Sequence, residues 1–305
     1  MTQFPVSFGY CDQQYTKTIY NIMSLSASKF ILSNGNAIPA VAFGISAKHF
    51  KHGHGELDKQ LIGTLELALK GGVTHIEGAG SYETNEEVGI ALKNSMVKRN
   101  EVFITAEYLP NEEKHLKHHN PYEELKSDLK DLGSSYVDLY LLHQEVSKGG
   151  PGLMKQWSHM ERLKEEGLAH SIGVSNFGVE DLNQLLNSKT KWKPVVNQIE
   201  FNHYLHDDTP GIAEFCQDQG VLVEAYAVVC HNKSLHYVLT KLADKYDKNS
   251  DQILLRWVIQ KGLLPITTAS KEEHMEDIVN VVNFDLEEGD VEEITRVARK
   301  KNHFK

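Results

Sequence analysis

A carboxylate, Glu77, stands five residues ahead of a phenol, Tyr82, in VTHIEGAGSYETNEEVG, and it closes an apolar run. Other apolar runs end in the same manner. VFITAE stops at Glu107, VDLYLLH at His143 and HSIGVS at Ser175, with Asn176 next; Gln198 lies in VVNQIEF and Tyr226 near the end of VLVEAYA. An imidazole, two phenols, a hydroxyl, two carboxyls and two amides cover proton transfer and the binding of a planar polar ligand. Each residue also has a plainer reading. His143 can be a satisfied strand-end histidine, and Glu77 and Glu107 the partners of basic loop residues, a reading that weighs about evenly for Glu107. Tyr82 can be a rim aromatic, and Asn176 and Gln198 can satisfy loose backbone groups. Recurrence at one strand end after another favours a shared site.

Such a set converges only if the runs are parallel strands whose carboxyl ends share one side. Eight runs qualify: 41–45, 73–77, 102–107, 137–143, 170–175, 195–201, 221–227 and 263–269. Their near-continuous hydrophobicity suits strands covered on both faces. Between them, stretches such as ELDKQLIGTLELALKGG, PYEELKSDLKDLG, MKQWSHMERLKEEG and SDQILLRWVIQKG carry apolar residues at helical spacing, with glycine just past the end. FILS, then Asn34, Gly35 and Asn36, then AIPAVAF reads as a leading hairpin. The pattern predicts an α/β fold, a (β/α)8 TIM barrel over residues 29–305 with an N-terminal β-hairpin closing its bottom. Residues 1–28 read as a polar N-terminal extension. No GxGxxG follows the first strand, which argues against an open dinucleotide-binding sheet.

A net charge of −10 on 305 residues repels nucleic acid and anionic lipid, so neither is expected as a partner. Forty per cent hydrophobic and 24% charged residues suit a large globular core. No run is long enough to span a bilayer, and the first residues lack a signal-peptide pattern. Cys11, Cys216 and Cys230 are widely spaced, which fits a reducing, cytoplasmic location. The histidines of KHFKHGHGEL (His49, His52, His54) and KHLKHH (His115, His118, His119) are read as surface loop residues, and no metal site is expected.

From Lys29 onward the chain resembles the aldo-keto reductase superfamily, through VTHIEGAGSYETNEEVGIAL, YVDLYLLH, IGVSNF, VVNQIEFNHYL and LVEAY. VSNFGVEDL, QIEFNHYLHDDTPGIAEFCQ and LRWVIQKGLLPITTASK make it most similar to yeast reductases of α-keto amides and conjugated polyketones such as ketopantoyl lactone. The resemblance implies reduction of a small carbonyl substrate by NADPH, with NADH left open. Tyr82 matches the family's proton donor and His143 the histidine that orients the carbonyl. Ser175, Asn176 and Gln198 match the residues that bind the nicotinamide carboxamide, and Tyr226 matches the aromatic stacked on its ring.

Two positions depart from the family. Glu77 stands for an aspartate, and Glu107 for the lysine whose charge eases the tyrosine's proton release. A carboxylate there makes the phenol a poorer acid, unless Glu77 and Glu107 share a proton and act as one acid. For the 2′-phosphate, Thr268 and His274 fall at the family's lysine and arginine positions, with Ser270 and Lys271 nearby. The loop GISAK places Gly44, Ser46 and Lys48 where the yeast subgroup also binds cofactor. The substrate pocket, shaped by 109–120 and the chain after Val297, carries no readable code.

The expected reaction is reduction of an activated ketone or aldehyde, of α-dicarbonyl or ketolactone type, by a monomer or weak dimer. Two other readings stay open. One is proton-transfer, dehydratase, isomerase or glycoside chemistry run by Glu77 and Glu107. The other is a barrel that binds cofactor or a partner without turnover.

Overall fold

The structure is a computed structural model that describes residues 28–45, 47–51, 55–109, 118–143, 151–201, 211–230 and 232–300. The expected extension (save residue 28), Cys11, Ser46 and most of 109–120 lie outside them.

Eight parallel strands close into a barrel in the order β10-β3-β4-β5-β6-β7-β8-β9. They are β3 (Ala42–Gly44), β4 (His75–Glu77), β5 (Phe103–Tyr108), β6 (Val137–His143), β7 (Ala169–Ser175), β8 (Val196–Glu200), β9 (Leu222–Tyr226) and β10 (Leu264–Thr267). All eight expected runs are strands, most of them trimmed by a residue or two at the ends. The antiparallel hairpin β1 (Lys29–Ile31) and β2 (Ala37–Pro39) precedes them. Its Leu32 and Ile38 join one apolar cluster with Ala42, Phe103, Leu139, Leu141, Leu264 and Ile266. The amides of Asn34 and Asn36 both donate to Ser171 Oγ, at 3.1 and 3.0 Å. Ser171 lies near the start of β7, so the hairpin plugs the amino-terminal end and leaves the carboxyl-terminal end open.

The helices follow their sequence signals. Asp58 caps α1 (Lys59–Lys70), its Oδ1 accepting from the Gln60 and Leu61 amides at 2.9 Å. Asn120 caps α3 (Pro121–Leu132), which ends on Gly133 in the left-handed conformation that glycine favours. Asn249 and Gln252 form a reciprocal capping box on α8 (Ser250–Gln260). The remaining helices are α2 (Asn85–Ser95), α4 (Pro151–Glu165), α5 (Val179–Leu186), α6 (Ile212–Asp218), α7 (His236–Tyr246), α9 (Glu272–Asn280) and α10 (Glu288–Lys300). Among the described residues, no helix is long and apolar enough to cross a membrane.

Alternation along each strand divides two environments. Ile76, Ile104, Ala106, Tyr108, Tyr140, Leu142, Ile172, Val174, Val223 and Ala225 pack outward in the main core with the helices. The residues between them face the lumen, and near the open end that inner set turns polar.

Candidate active site

Strand period explains which side chains meet. Glu77, His143, Ser175 and Tyr226 end their strands, Glu107 lies one residue short of the end and Gln198 two, and all six share the inward parity. Two residues below Glu77 lies His75, two below Glu107 lies Thr105, and two below Tyr226 lies Glu224. The ladder sets His143 opposite Ser175, Ser175 opposite Gln198 and Gln198 opposite Glu224. Glu224 therefore belongs to the site, although VLVEAYA reads as an apolar run whose polar end is Tyr226. Its signal was its parity with Tyr226.

Three carboxyls, Glu77, Glu107 and Glu224, are buried in this lumen at 6%, 3% and 0% exposure. Gln198 Nε2 donates to Glu224 Oε2 at 3.1 Å, and the same amide bonds Glu77. Ser175 bonds Glu107. Burial pushes Glu77 up to about 7, opposed by the bond from Gln198. Burial pushes Glu107 up to about 8, with the nearby charges of Glu77 and Glu224 adding to it. Glu224 rises to about 8, again chiefly through burial. His75 gives no compensating charge: its Nε2 lies 2.8 Å from Thr105 Oγ1, and burial lowers its pKa to about 3.

At the rim, Asn176 links three strands. Its Nδ2 donates to His143 Nε2 at 2.8 Å and to Ser175 Oγ at 3.3 Å, and its Oδ1 accepts from the Tyr226 hydroxyl at 3.1 Å. Asn176 holds a left-handed backbone, φ +60°, as does Ala227 beside Tyr226. Asparagine tolerates that conformation better than most residues, and strain of this kind gathers at functional sites. Both amide hydrogens are used, whereas Oδ1 has a second lone pair to offer. A ring bearing a carboxamide fits this set: an acceptor on Asn176, the Gln198 amide below, and the half-buried Tyr226 ring beside them.

Tyr82 ends a 3-10 turn, Gly80–Tyr82, that follows β4. Its ring stacks on Phe50, centroids 3.9 Å apart, and its carbonyl accepts from the Lys51 amide at 3.3 Å. Lys51 Nζ in turn lies 2.7 Å from Glu87 Oε1, which also accepts from the Asp58 amide at 2.8 Å. His49 Nδ1 lies 2.6 Å from Asp58 Oδ2, and His49 is 6% exposed. This corrects the surface-loop reading of His49: its partner lies nine residues on, beyond any local spacing rule. His52, His54 and His115 lie outside the described residues, whereas His119 is exposed and His118 half-buried.

The residues expected at the cofactor's far end divide. Thr268 and His274 line a cleft of about 380 Å³ with Asn249, Asp251, Gln252 and Asp277. Ser270 is exposed; Lys271 lies 3.5 Å from Glu273 Oε1 and His274 Nε2 lies 3.3 Å from it. Lys48 is exposed and pairs with no acid among the described residues. Gly44 is a buried strand residue opposite Glu77; a Cβ there would meet Ile266 Cγ2 at 2.8 Å and Glu77 Oε2 at 3.1 Å.

A closed eight-stranded barrel with a polar carboxyl-terminal mouth defines a class of enzyme-bearing fold, not a chemistry. Sequence comparison supplies the rest. The profile of the Aldo/keto reductase family matches residues 43–299, and the chain belongs to that family. It is 40% identical over 292 residues to an NADPH-dependent alpha-keto amide reductase of Saccharomyces cerevisiae, covering 90% of this chain and 92% of that one. It is 38% identical over 272 residues to an NAD/NADP-dependent indole-3-acetaldehyde reductase of Schizosaccharomyces pombe, covering 87% and 93%. A crystal structure of a Bombyx mori aldo-keto reductase in complex with NADP superposes with a TM-score of 0.74 at 31% identity, covering 89% of this chain and 92% of that one.

Proposed function

We propose that the barrel mouth reduces a small activated ketone or aldehyde, of α-dicarbonyl or ketolactone type, with NADPH. The observation that carries this reading is the rim chain His143–Asn176–Tyr226, held in a strained left-handed turn beside the Gln198 amide. The names of two relatives agree with the substrate class: the alpha-keto amide reductase, and a glyoxal reductase of Bacillus subtilis at 32% identity.

A bound nicotinamide supplies the hydride that reaches the carbonyl carbon. The chain supplies the rest. Ser175, Asn176 and Gln198 hold the carboxamide, and Tyr226 lies against the ring. His143 would orient the carbonyl oxygen through Nε2 once that nitrogen gives up the bond it now accepts from Asn176, and the Tyr82 hydroxyl would give that oxygen its proton. The stack of Phe50 on Tyr82, and the pairing of Lys51 with Glu87 behind it, support a phenol held in one place. Glu77 and Glu107 share protons, so that Glu107 need not oppose the phenol with a full charge.

The test is NADPH oxidation with isatin and a ketolactone as substrates. Turnover is expected in the wild type, with Tyr82→Phe losing it by at least about 10²-fold while binding NADPH within a few-fold of wild type. Turnover that survives in Tyr82→Phe removes Tyr82 from its role. Asp251 and Asp277 line the cleft with Thr268 and His274, and among the described residues no lysine or arginine lines it. The NADPH preference over NADH is therefore modest, read as a ratio of kcat/KM.

A second reading, a cofactor-binding barrel with altered proton-transfer catalysis, rests on the three buried carboxyls. Saturable NADPH binding without oxidation across diketones and aldehydes selects it.

A further inference from the structure

Neither the mouth chemistry nor the family pattern assigns a role to Glu224. It is fully buried, and its Oε1 finds no hydrogen-bond partner; the same holds for Oε1 of Glu107. Two buried carboxyl oxygens thus stand unsatisfied in one lumen, a costly arrangement for ionised groups. Gln198 lies between, tied by its amide to both Glu224 and Glu77.

We propose that Glu224 completes a three-carboxyl cluster with Glu77 and Glu107 that holds protons in common and gives one up when a cationic, oxidised nicotinamide rather than a neutral, reduced one occupies the mouth. The inference rests on the reductase reading and adds to it a coupling between the cofactor's charge and the lumen's.

The strands around the cluster support it. On β4 the neighbours are His75 and Glu77 themselves; His75 is 4.0 Å from Glu224 Oε1 and is kept neutral by burial. β5 presents Thr105 beside Glu107, and β7 presents Ser175. β8 presents Gln198, and β9 carries Tyr226 above Glu224. Tyr140 of β6 feels the charge of Glu107 although its ring packs outward. His143, on β6, is tied to Asn176 at the rim. β3 offers Gly44, and β10 only Leu264 and Ile266. No lysine or arginine among the described residues pairs with any of the three carboxyls. Against the described residues, a positive charge arriving at the mouth is a cation the cluster otherwise lacks, and it favours the ionised form. Burial places the three groups near neutrality, where such a shift changes proton number.

NADP+ and NADPH share every phosphate and the adenosine, so a difference in proton release between them reports the nicotinamide end alone. Each is titrated into full-length protein at pH 7.5 in weakly buffered solution with a pH indicator, and affinities are measured by fluorescence from pH 6.5 to 8.5. NADP+ is expected to release a sizeable fraction of a proton more than NADPH. Its Kd relative to that of NADPH should tighten about two- to threefold per pH unit. Glu224→Gln should shrink both effects. Equal proton release by the two cofactors, or an unchanged difference in Glu224→Gln, overturns the cluster while leaving the reductase reading in place. Failure of both cofactors to bind overturns both. Infrared titration of the cofactor-free wild type gives an independent readout: protonated carboxyl bands should persist at pH 7. Their complete loss near pH 4.5 overturns the cluster whether or not the variant folds.

Discussion

On the proposed reading Glu107 is the residue on which the chemistry turns, because it matches the position of the family's lysine. Ionised, it makes the mouth more negative and, if the proposed role of Tyr82 holds, the phenol a weaker acid; protonated, it does neither. Burial lifts it to about 8, so reduction should weaken as pH rises through about 7 to 8 and the cluster loses its protons. Glu107→Gln removes that loss: kcat/KM at pH 8.5 should rise several-fold over wild type, and the alkaline limb should move upward. An unchanged pH profile would count against any shared-proton acid. Much of this set was legible beforehand: Glu77, Glu107, His143, Ser175 and Tyr226 sit at or next to the ends of apolar runs, where a barrel places its mouth, and Gln198, in the middle of its run, was marked by the resemblance. Glu224 was not legible by that rule because, like Gln198, it is the middle residue of its run, flanked by Val223 and Ala225. Only the inward parity it shares with Tyr226 marks it. His49 escaped for a different reason. A histidine among histidines carries no local sign of burial, and its partner Asp58 announces itself only as the N-cap of α1.

The strands were readable as elements because a strand covered on both faces must be apolar at nearly every position. The loops that hold the phenol were not readable, since their order comes from long-range pairs. Glu87 on α2 is the clearest case: it is fully buried, and it receives both the Lys51 ammonium and the Asp58 amide. Glu87→Leu leaves Lys51 with 10% side-chain exposure and no counter-charge, so a loss of about 3–5 kcal/mol is expected, read in denaturant melts. Lys51→Met with Glu87→Leu should recover much of that loss while still lowering kcat, because Phe50 and the Lys51 amide then hold Tyr82 less firmly. If kcat survives in the double variant, the pairing stabilises the barrel without positioning the phenol. Between β7 and β8 the sheet allows no side chain at Gly173, where a Cβ would meet Val196 O and Leu141 Cδ2 at 2.8 Å each. Gly173→Ala should cost about 1–3 kcal/mol by overpacking, and through Ser175, two residues on, it should disturb Asn176.

At the scale of the whole molecule, the buried carboxyls make stability depend on pH in an unusual direction. In the unfolded chain a glutamate titrates near its ordinary 4.5; in the fold Glu77 waits until about 7 and Glu107 and Glu224 until about 8. Between those limits the folded protein binds more protons than the unfolded chain, so stability is fullest below 4.5 for these groups and is lost as pH rises through 8. His75 acts the other way, since its pKa falls from 6.5 to about 3 in the fold, and its penalty builds as pH drops below 6.5. From 4.5 to 6.5 the three glutamates outweigh His75, and above 6.5 its opposing effect is gone. Each net proton is worth at most about 1.4 kcal/mol per pH unit, a ceiling that the coupling among the three carboxyls lowers. The melting temperature should therefore decline steadily from pH 6 to 8.5, where an ordinary acidic protein with paired surface carboxylates holds level. Glu107→Gln and Glu224→Gln should each flatten that decline and raise the melting temperature at pH 8.5. A wild-type melting temperature that holds or climbs over this range would mean that the lumen takes up a cation or water that lets its carboxyls ionise at their ordinary pH.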